Sequence, residues 1–505
     1  MNMKKTFVLI IIILQVLLCN VYTHSGITEY NVIIDTDCAI DDFRAITLLL
    51  ASPKVEVLGI TTSDGTLDPV EGQKRVESLL KCFHHEGIPV ARGQITLKEP
   101  PGWRDLNQKI NWTDEPVFDK NNNSLPAPDF IIETINNEEK TVTLICLGSL
   151  SNIAYAIQKV DSIREKIERI IWYNRNSDIT NGTNYRFDKT SADYILKSGI
   201  KVDIVSNFWD TIPGTNDPKD TIPGTNYLKD SIPTTNDLWD SIPNINSIYA
   251  RKIYQVHQQD ELKNSMHKGY LNLWDDLVPV YLLSPASYTV DSITGYPNVR
   301  IICPANIVQV KRQILDIVNI DKNIESKVFQ GFPDDPELYR EDVAKVMNEI
   351  IRKHGLTEWK LGVVANEMHG HLGIYAIVGV KMGLRAREFF NIGLDDIRII
   401  TYAGRKPPLS CMNDGLQVST GGTLGHGLIF LTDESKILPM AFFSYESKTV
   451  IIKLKDEYKD IIKNNIKQCI SENGNLTREY WECVRKQAIE YWLEWDRNTM
   501  FDLEY

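Results

Sequence analysis

Four carboxylates fall within eight residues in Asp35-Thr36-Asp37-Cys38-Ala39-Ile40-Asp41-Asp42, between an apolar strand pattern and a helical one. Charges this close repel strongly unless a cation neutralises them. Hard oxygen donors favour Ca2+ or Mg2+. An acidic N-cap and first helical turn accounts for one or two aspartates here, but not for four. A second donor set lies far along the chain in His369-Gly370-His371, followed by Cys411 and Asp414. In extended backbone the two imidazoles would point to one side, and the glycine permits close approach. Imidazole with thiolate is a transition-metal set, with zinc the default. Two surface histidines on a loop are the plain alternative. The tract Gly421 to Gly427 reads as a turn cluster in preference to an anion cradle.

The elements that must position these groups alternate along the chain. Val32 to Ile34, Val55 to Ile60, Val142 to Leu147, Ile167 to Trp172 and Val202 to Val205 read as buried strands. Ala45 to Leu50, Val70 to Phe83 and Leu150 to Gln158 have helical spacing. Such alternation predicts an α/β fold, a mostly parallel open sheet with helices on both faces. Ligands bind beyond the carboxyl ends of the strands in such sheets, and the aspartates follow one of these ends. Glu341 to His354 reads as an amphipathic helix, and composition changes again from Glu358. The expected division is therefore near residue 350, giving domains 28–350 and 355–505, the second a smaller α+β metal-binding domain. Tyr458 to Asp496 reads as helical, its Trp and Tyr residues serving as packing.

Residues 210–249 hold four decapeptides, with Asp210, Asp220, Asp230 and Asp240, and Pro213, Pro223, Pro233 and Pro243, recurring in step. Proline at that period forbids a long helix. The stretch reads as a solvated, turn-rich insertion, with a lid as the alternative. Its aspartates are too sparse for a calcium loop.

Lys and Arg number 55 against 67 Asp and Glu, a net charge of −12 that argues against a nucleic-acid partner. Met1 to Lys5 carries two lysines, and Thr6 to Cys19 is almost wholly apolar. This is the pattern of a signal peptide, 1–23, too short for a comfortable membrane span. The protein is expected to be exported, periplasmic or secreted, with an uncleaved or lipid-anchored N-terminus as the alternative and no other membrane contact. Without Cys19 seven cysteines remain and none form C-x-x-C, so neither a fully paired disulfide framework nor a zinc ribbon is expected.

The D-x-D-x-x-x-D-D pattern of Asp35, Asp37, Asp41 and Asp42 resembles that of the inosine-uridine preferring nucleoside hydrolases. The resemblance continues in Val57 to Thr62, Leu147 to Asn152, Asn184 to Asp188 and Trp274-Asp275-Asp276-Leu277. It implies a calcium ion held by Asp37, Asp42, the Ser151 carbonyl and Asp275, with Asp41 and Asn184 on ribose hydroxyls. It also implies that Asp37 is the general base toward water, while the sugar becomes oxocarbenium-like as the base departs. Three positions depart from the family pattern. Gly65-Thr66 stands where Asn is usual, Gly182 where Glu is usual, and Trp274 where His is frequent. Trp274 removes a proton donor but offers a face on which the base can stack.

Residues 358–505 resemble the formylmethanofuran dehydrogenase E-like family in His369-Gly370-His371-Leu372-Gly373, in the Pro407 to Gln417 stretch and in the Thr420 to Gly427 tract. There His369, His371 and Cys411 correspond to a site for zinc or another transition metal. The joint reading is an exported, calcium-dependent hydrolase of nucleoside N-glycosidic bonds fused to a metal-binding domain. The alternative is a catalytically degenerate nucleoside- or sugar-binding module whose C-terminal domain is the working part. The partners expected are a nucleoside or related sugar and, at most, further copies of the chain.

Overall fold

The computed structural model describes residues 28–113, 125–174, 179–207, 247–267, 272–319, 328, 331–394, 397–432 and 437–505. The expected signal peptide lies outside these residues, as does the decapeptide repeat apart from Ser247, Ile248 and Tyr249. Ser247 accepts a hydrogen bond from the Ala250 N–H and so caps the helix Ile248–His257. Among the described residues no helix is long and apolar enough to cross a membrane. The chain forms two compact units, Thr28–Glu325 with Glu388–Asn391, and Ser326–Arg387 with Ile392–Tyr505.

In the first unit eight strands form one sheet: β1 (Tyr30–Thr36), β2 (Val55–Thr62), β3 (Val90–Arg92), β4 (Val142–Cys146), β5 (Ile167–Tyr173), β6 (Val202–Val205), β7 (Tyr288–Ile293) and β8 (Tyr296–Pro304). The order is β3-β2-β1-β4-β5-β6-β8-β7. All pairings are parallel except that of β7 with β8, a hairpin at the edge. Alternate residues of β1 feed two cores. Val32 and Ile34 pack with the helices Ile40–Ala51 and Leu277–Leu283, and Ile33 with Ile153, Ile157 and Ile195 on the other face. The helix Ile40–Ala51 is buried along its whole length, which fixes its N-terminal aspartates at the end of β1.

The second unit is α+β. Its sheet contains β9 (Arg398–Thr401), β10 (Ile429–Leu431), β11 (Met440–Tyr445), β12 (Lys448–Leu454) and β13 (Phe501–Glu504) in the order β10-β9-β11-β12-β13. The stretch Tyr458 to Asp496, read as helical, holds two helices, Asp456–Asn473 and Arg478–Glu494. Gly474, at φ +79°, ends the first, and Thr477 caps the second. A disulfide, Cys469–Cys483, joins them. The division near residue 350 would leave the helix Glu341–His354 with the first domain. Its polar bonds run instead to the last helix, from Asp342 to Arg485, from Lys353 to Glu494 and from His354 to the Leu493 carbonyl. An amphipathic pattern shows that a helix has an apolar face but not which body covers it.

Beneath these helices lies a fully buried ion pair. The Lys381 ammonium meets Glu358 and donates to the Trp492 and Trp495 carbonyls, while the other Glu358 oxygen accepts from Arg497 at 3.0 Å. Each charge is paired and hydrogen-bonded, so the cost appears when one partner is removed. Glu358→Ala is expected to destabilise the second unit by about 3–5 kcal/mol, seen as a lower chemical-denaturation midpoint.

Candidate functional site

The acidic loop is built by its own hydrogen bonds. One Asp42 oxygen, Oδ2, accepts from the Thr36 hydroxyl at 2.6 Å and from the Asp37 and Cys38 N–H groups at 3.1 Å each. Cys38 takes a positive φ of 65° to make this turn. Asp35 is held at the sheet by the Thr61 hydroxyl at 2.6 Å and the Asn152 amide at 2.7 Å. Asp37 Oδ2 accepts from the Thr66 N–H at 2.9 Å.

The fifth aspartate arrives from the opposite side of the sequence. Arg44, two residues beyond Asp42 on the same helix, grips both oxygens of Asp276, at 2.7 and 2.8 Å, and donates to the Asn272 carbonyl at 3.0 Å. Neither side chain of the pair is exposed at all. This clamp holds the Trp274-Asp275 dipeptide over the acidic loop. Buried beside the positive Arg44, His257 is pushed down to about 3, first by burial and then by that charge, and so stays neutral.

Asp37, Asp41, Asp42, Asn184, Trp274 and Asp275 all line one cavity of about 350 Å³. Donor atoms of Asp41, Asp42 and Asp275 lie within 4.8 Å of one another, the one such trio among the described residues. The sequence reading gives Asp37 to the metal and Asp41 to the sugar; geometrically Asp41 is in the tight trio and Asp37 on the same cavity wall. Ser151 is buried, its hydroxyl 2.9 Å from that of Ser149, and is not among the lining residues. Asn184 donates its amide to the Leu147 and Tyr173 carbonyls at 2.6 and 3.1 Å, which leaves its Oδ1 as an acceptor.

Burial lifts these acids. Asp37 is pushed up from 3.8 to about 6 by burial, with Asp41 adding repulsion and the Thr66 N–H opposing. Asp42 is raised well above the ordinary value by burial and then by Asp37 and Asp41. Asp275 is raised by burial and then by Asp42 and Asp41, and its Oδ1 is buried with no hydrogen-bond partner. Converging buried carboxylates with an unsatisfied oxygen fit a hard divalent cation.

Comparison with known proteins bears on this site. The family model for inosine-uridine preferring nucleoside hydrolase matches residues 32–343. The chain belongs to the nucleoside hydrolase family. A second model, FmdE, Molybdenum formylmethanofuran dehydrogenase operon, matches 368–502. The chain is similar to a pyrimidine-specific ribonucleoside hydrolase RihA of Shewanella sp. (strain MR-7), 32% identical over 34% of this chain and 57% of the relative. RihA of Escherichia coli (strain SMS-3-5 / SECEC) is 30% identical over 34% of this chain and 58% of its own. The chain thus spans less than two thirds of these relatives. A plant nucleoside hydrolase structure, the PpNRh1 enzyme, is 21% identical and covers 58% of this chain and 100% of its own, with a TM-score of 0.47.

Two departures from the family pattern have structural counterparts. Thr66 accepts from Trp103 Nε1 at 3.0 Å, and Arg104 holds the Thr66 carbonyl at 3.0 Å and Asp64 at 3.1 Å. Trp103 and Phe187 both line the cavity, with ring centroids 6.3 Å apart. Sequence reasoning misses both residues, because a lone aromatic at the end of a short helix carries no periodicity. At Gly182 a Cβ would stand 1.6 Å from Asn174 Oδ1, so Asn174 fills the space that a side chain there would need. Gly182→Glu is therefore expected to destabilise the unit by about 1–3 kcal/mol through overpacking. Asn174→Gly in the same chain should recover part of that loss, and a double-mutant cycle of melting curves measures the coupling.

In the second unit His369-Gly370-His371 is not extended. His369 ends the helix Leu356–His369, and Gly370 caps it at φ +82°. The left-handed turn still brings the two rings together, with centroids 4.3 Å apart, and the His371 ring meets Trp481 edge-on at 5.2 Å. Cys411 is half-buried and precedes Asp414 by three residues on continuous helical backbone, which places both on one face. The Cys411 thiol is pushed up by burial and then by Asp414. Gly421 to Gly427 forms turns, with positive φ at both end glycines.

Proposed function

We propose that the first unit hydrolyses the N-glycosidic bond of nucleosides, releasing free base and pentose, with calcium held by Asp37, Asp42, Asp275 and the Ser151 carbonyl. The observation that carries this reading is the convergence of buried carboxylates from both ends of the unit on one cavity. A hard cation held there neutralises the cluster and acidifies water. Asp37, whose carboxylate accepts from the Thr66 N–H, would be kept ionised by such a cation and would take the proton from the attacking water. Asp41 and the free acceptor of Asn184 face the cavity where sugar hydroxyls would donate. Trp274 supplies an aromatic face for the departing base.

The N-terminal segment supports export, and the second unit is read as a site for zinc or another transition metal at His369, His371 and Cys411. A second reading, a binding module without turnover, is favoured by one observation: Asn174 leaves no room for a carboxylate at Gly182. The deciding experiment measures calcium in purified protein and reducing-sugar release from purine and pyrimidine nucleosides. Calcium with sugar release supports the hydrolase, and calcium with tight nucleoside binding but no release supports the module.

A further inference from the structure

We infer that Asp414 is a positioning residue that fixes His369 to present its Nε2 to a metal, and that Gly373 leaves that edge of the ring uncrowded. This rests on the reading of the second unit as metal-binding and adds two residues to it. Asp414 Oδ2 lies 2.7 Å from His369 Nδ1. A carboxylate only accepts at neutral pH, so Nδ1 carries the proton and Nε2 the lone pair. That Nε2 is buried and has no hydrogen-bond partner, on a side chain only 10% exposed. An unpaired buried acceptor is costly in a finished core, but it is what an imidazole awaiting a cation presents.

The surrounding backbone is shaped to the same end. A Cβ on Gly373 would stand 3.0 Å from His369 Cδ2 and 3.1 Å from Nε2, crowding that edge of the ring. Asp414 is delivered by a close helix crossing. A Cβ on Gly415 would lie 2.1 Å from the Ala376 carbonyl oxygen, and one on Gly379 would lie 2.2 Å from that of Met412. The two backbones therefore touch where Met412–Thr420 crosses Ile374–Phe390. The same turn that carries Asp414 carries Cys411, although the donor atoms of His369, His371 and Cys411 do not all lie within 4.8 Å of one another.

The test uses the full chain, zinc and cobalt(II). Zinc stoichiometry is measured in wild type and His369→Ala. Zinc affinity is measured by chelator competition in wild type, Asp414→Asn and Gly373→Ala, and cobalt(II) spectra report the ligand field. Wild type is expected to bind zinc and His369→Ala to lose it. Asp414→Asn should bind about 10–100-fold more weakly, with a shifted cobalt spectrum. No zinc or cobalt in wild type overturns the metal reading itself. Wild-type binding with unchanged affinity and spectrum in Asp414→Asn overturns the inference alone. If Asp414→Asn does not fold, Gly373→Ala decides: tenfold or greater weakening supports the inference, and unchanged affinity overturns it.

Discussion

Asp42→Ala is expected to remove bound calcium from the first unit and to abolish nucleoside cleavage. Asp42 has two tasks at once. Its Oδ2 anchors the loop through Thr36, Asp37 and Cys38, and its charge belongs to the tight trio with Asp41 and Asp275. Asp42→Asn separates the tasks, because an amide oxygen still accepts those hydrogen bonds while the charge is gone. Loss of calcium in Asp42→Asn with an unchanged melting temperature of the metal-free protein would assign the effect to coordination. Asp37→Ala and Asp41→Ala then distinguish the two flanking acids. With Asp37 as ligand, its alanine variant loses calcium, whereas Asp41→Ala keeps calcium and raises KM. The reverse pattern exchanges the two roles, and calcium retained in Asp42→Ala contradicts the site as a whole.

The strands, the helix after β1 and the acidic cluster are legible in the sequence because each is written locally. Period-two and helical apolar patterns mark the elements, and four clustered charges demand a cation wherever the chain goes. What is not legible depends on contacts between distant residues. Arg44 and Asp276 are 232 positions apart, and nothing local to either shows that they clamp Trp274 and Asp275 in place. The absence of the usual Glu at Gly182 reads as a simple gap in the sequence, whereas in the fold Asn174 occupies its space. Two histidines two apart fit a strand, so His369-Gly370-His371 reads as extended. The preceding helix ends there instead, and a left-handed glycine achieves the same juxtaposition.

Removal of calcium is expected to lower the melting temperature far more at pH 8 than at pH 5. Asp35 and Asp37 are both raised from 3.8 to about 6, first of all by burial. The metal-free folded protein therefore holds protons that the unfolded chain releases above about pH 4. Stability from these protons is fully present below about pH 4 and is lost as pH rises through about 6. The loss is about 3 kcal/mol for Asp35, and Asp37 shifts stability in the same direction. Asp42 and Asp275, raised further in the same direction, extend the loss to higher pH. A bound cation reverses the sign by stabilising the ionised carboxylates, so its contribution grows over the pH range in which the protons leave. Ordinary carboxylates would hold calcium well below the histidine range. Burial lets protons compete with calcium for Asp37 near pH 6. Melting curves with calcium and with chelator at pH 5 and pH 8 check this. Equal calcium-dependent shifts at the two pH values would show that Asp37, Asp42 and Asp275 do not titrate between them.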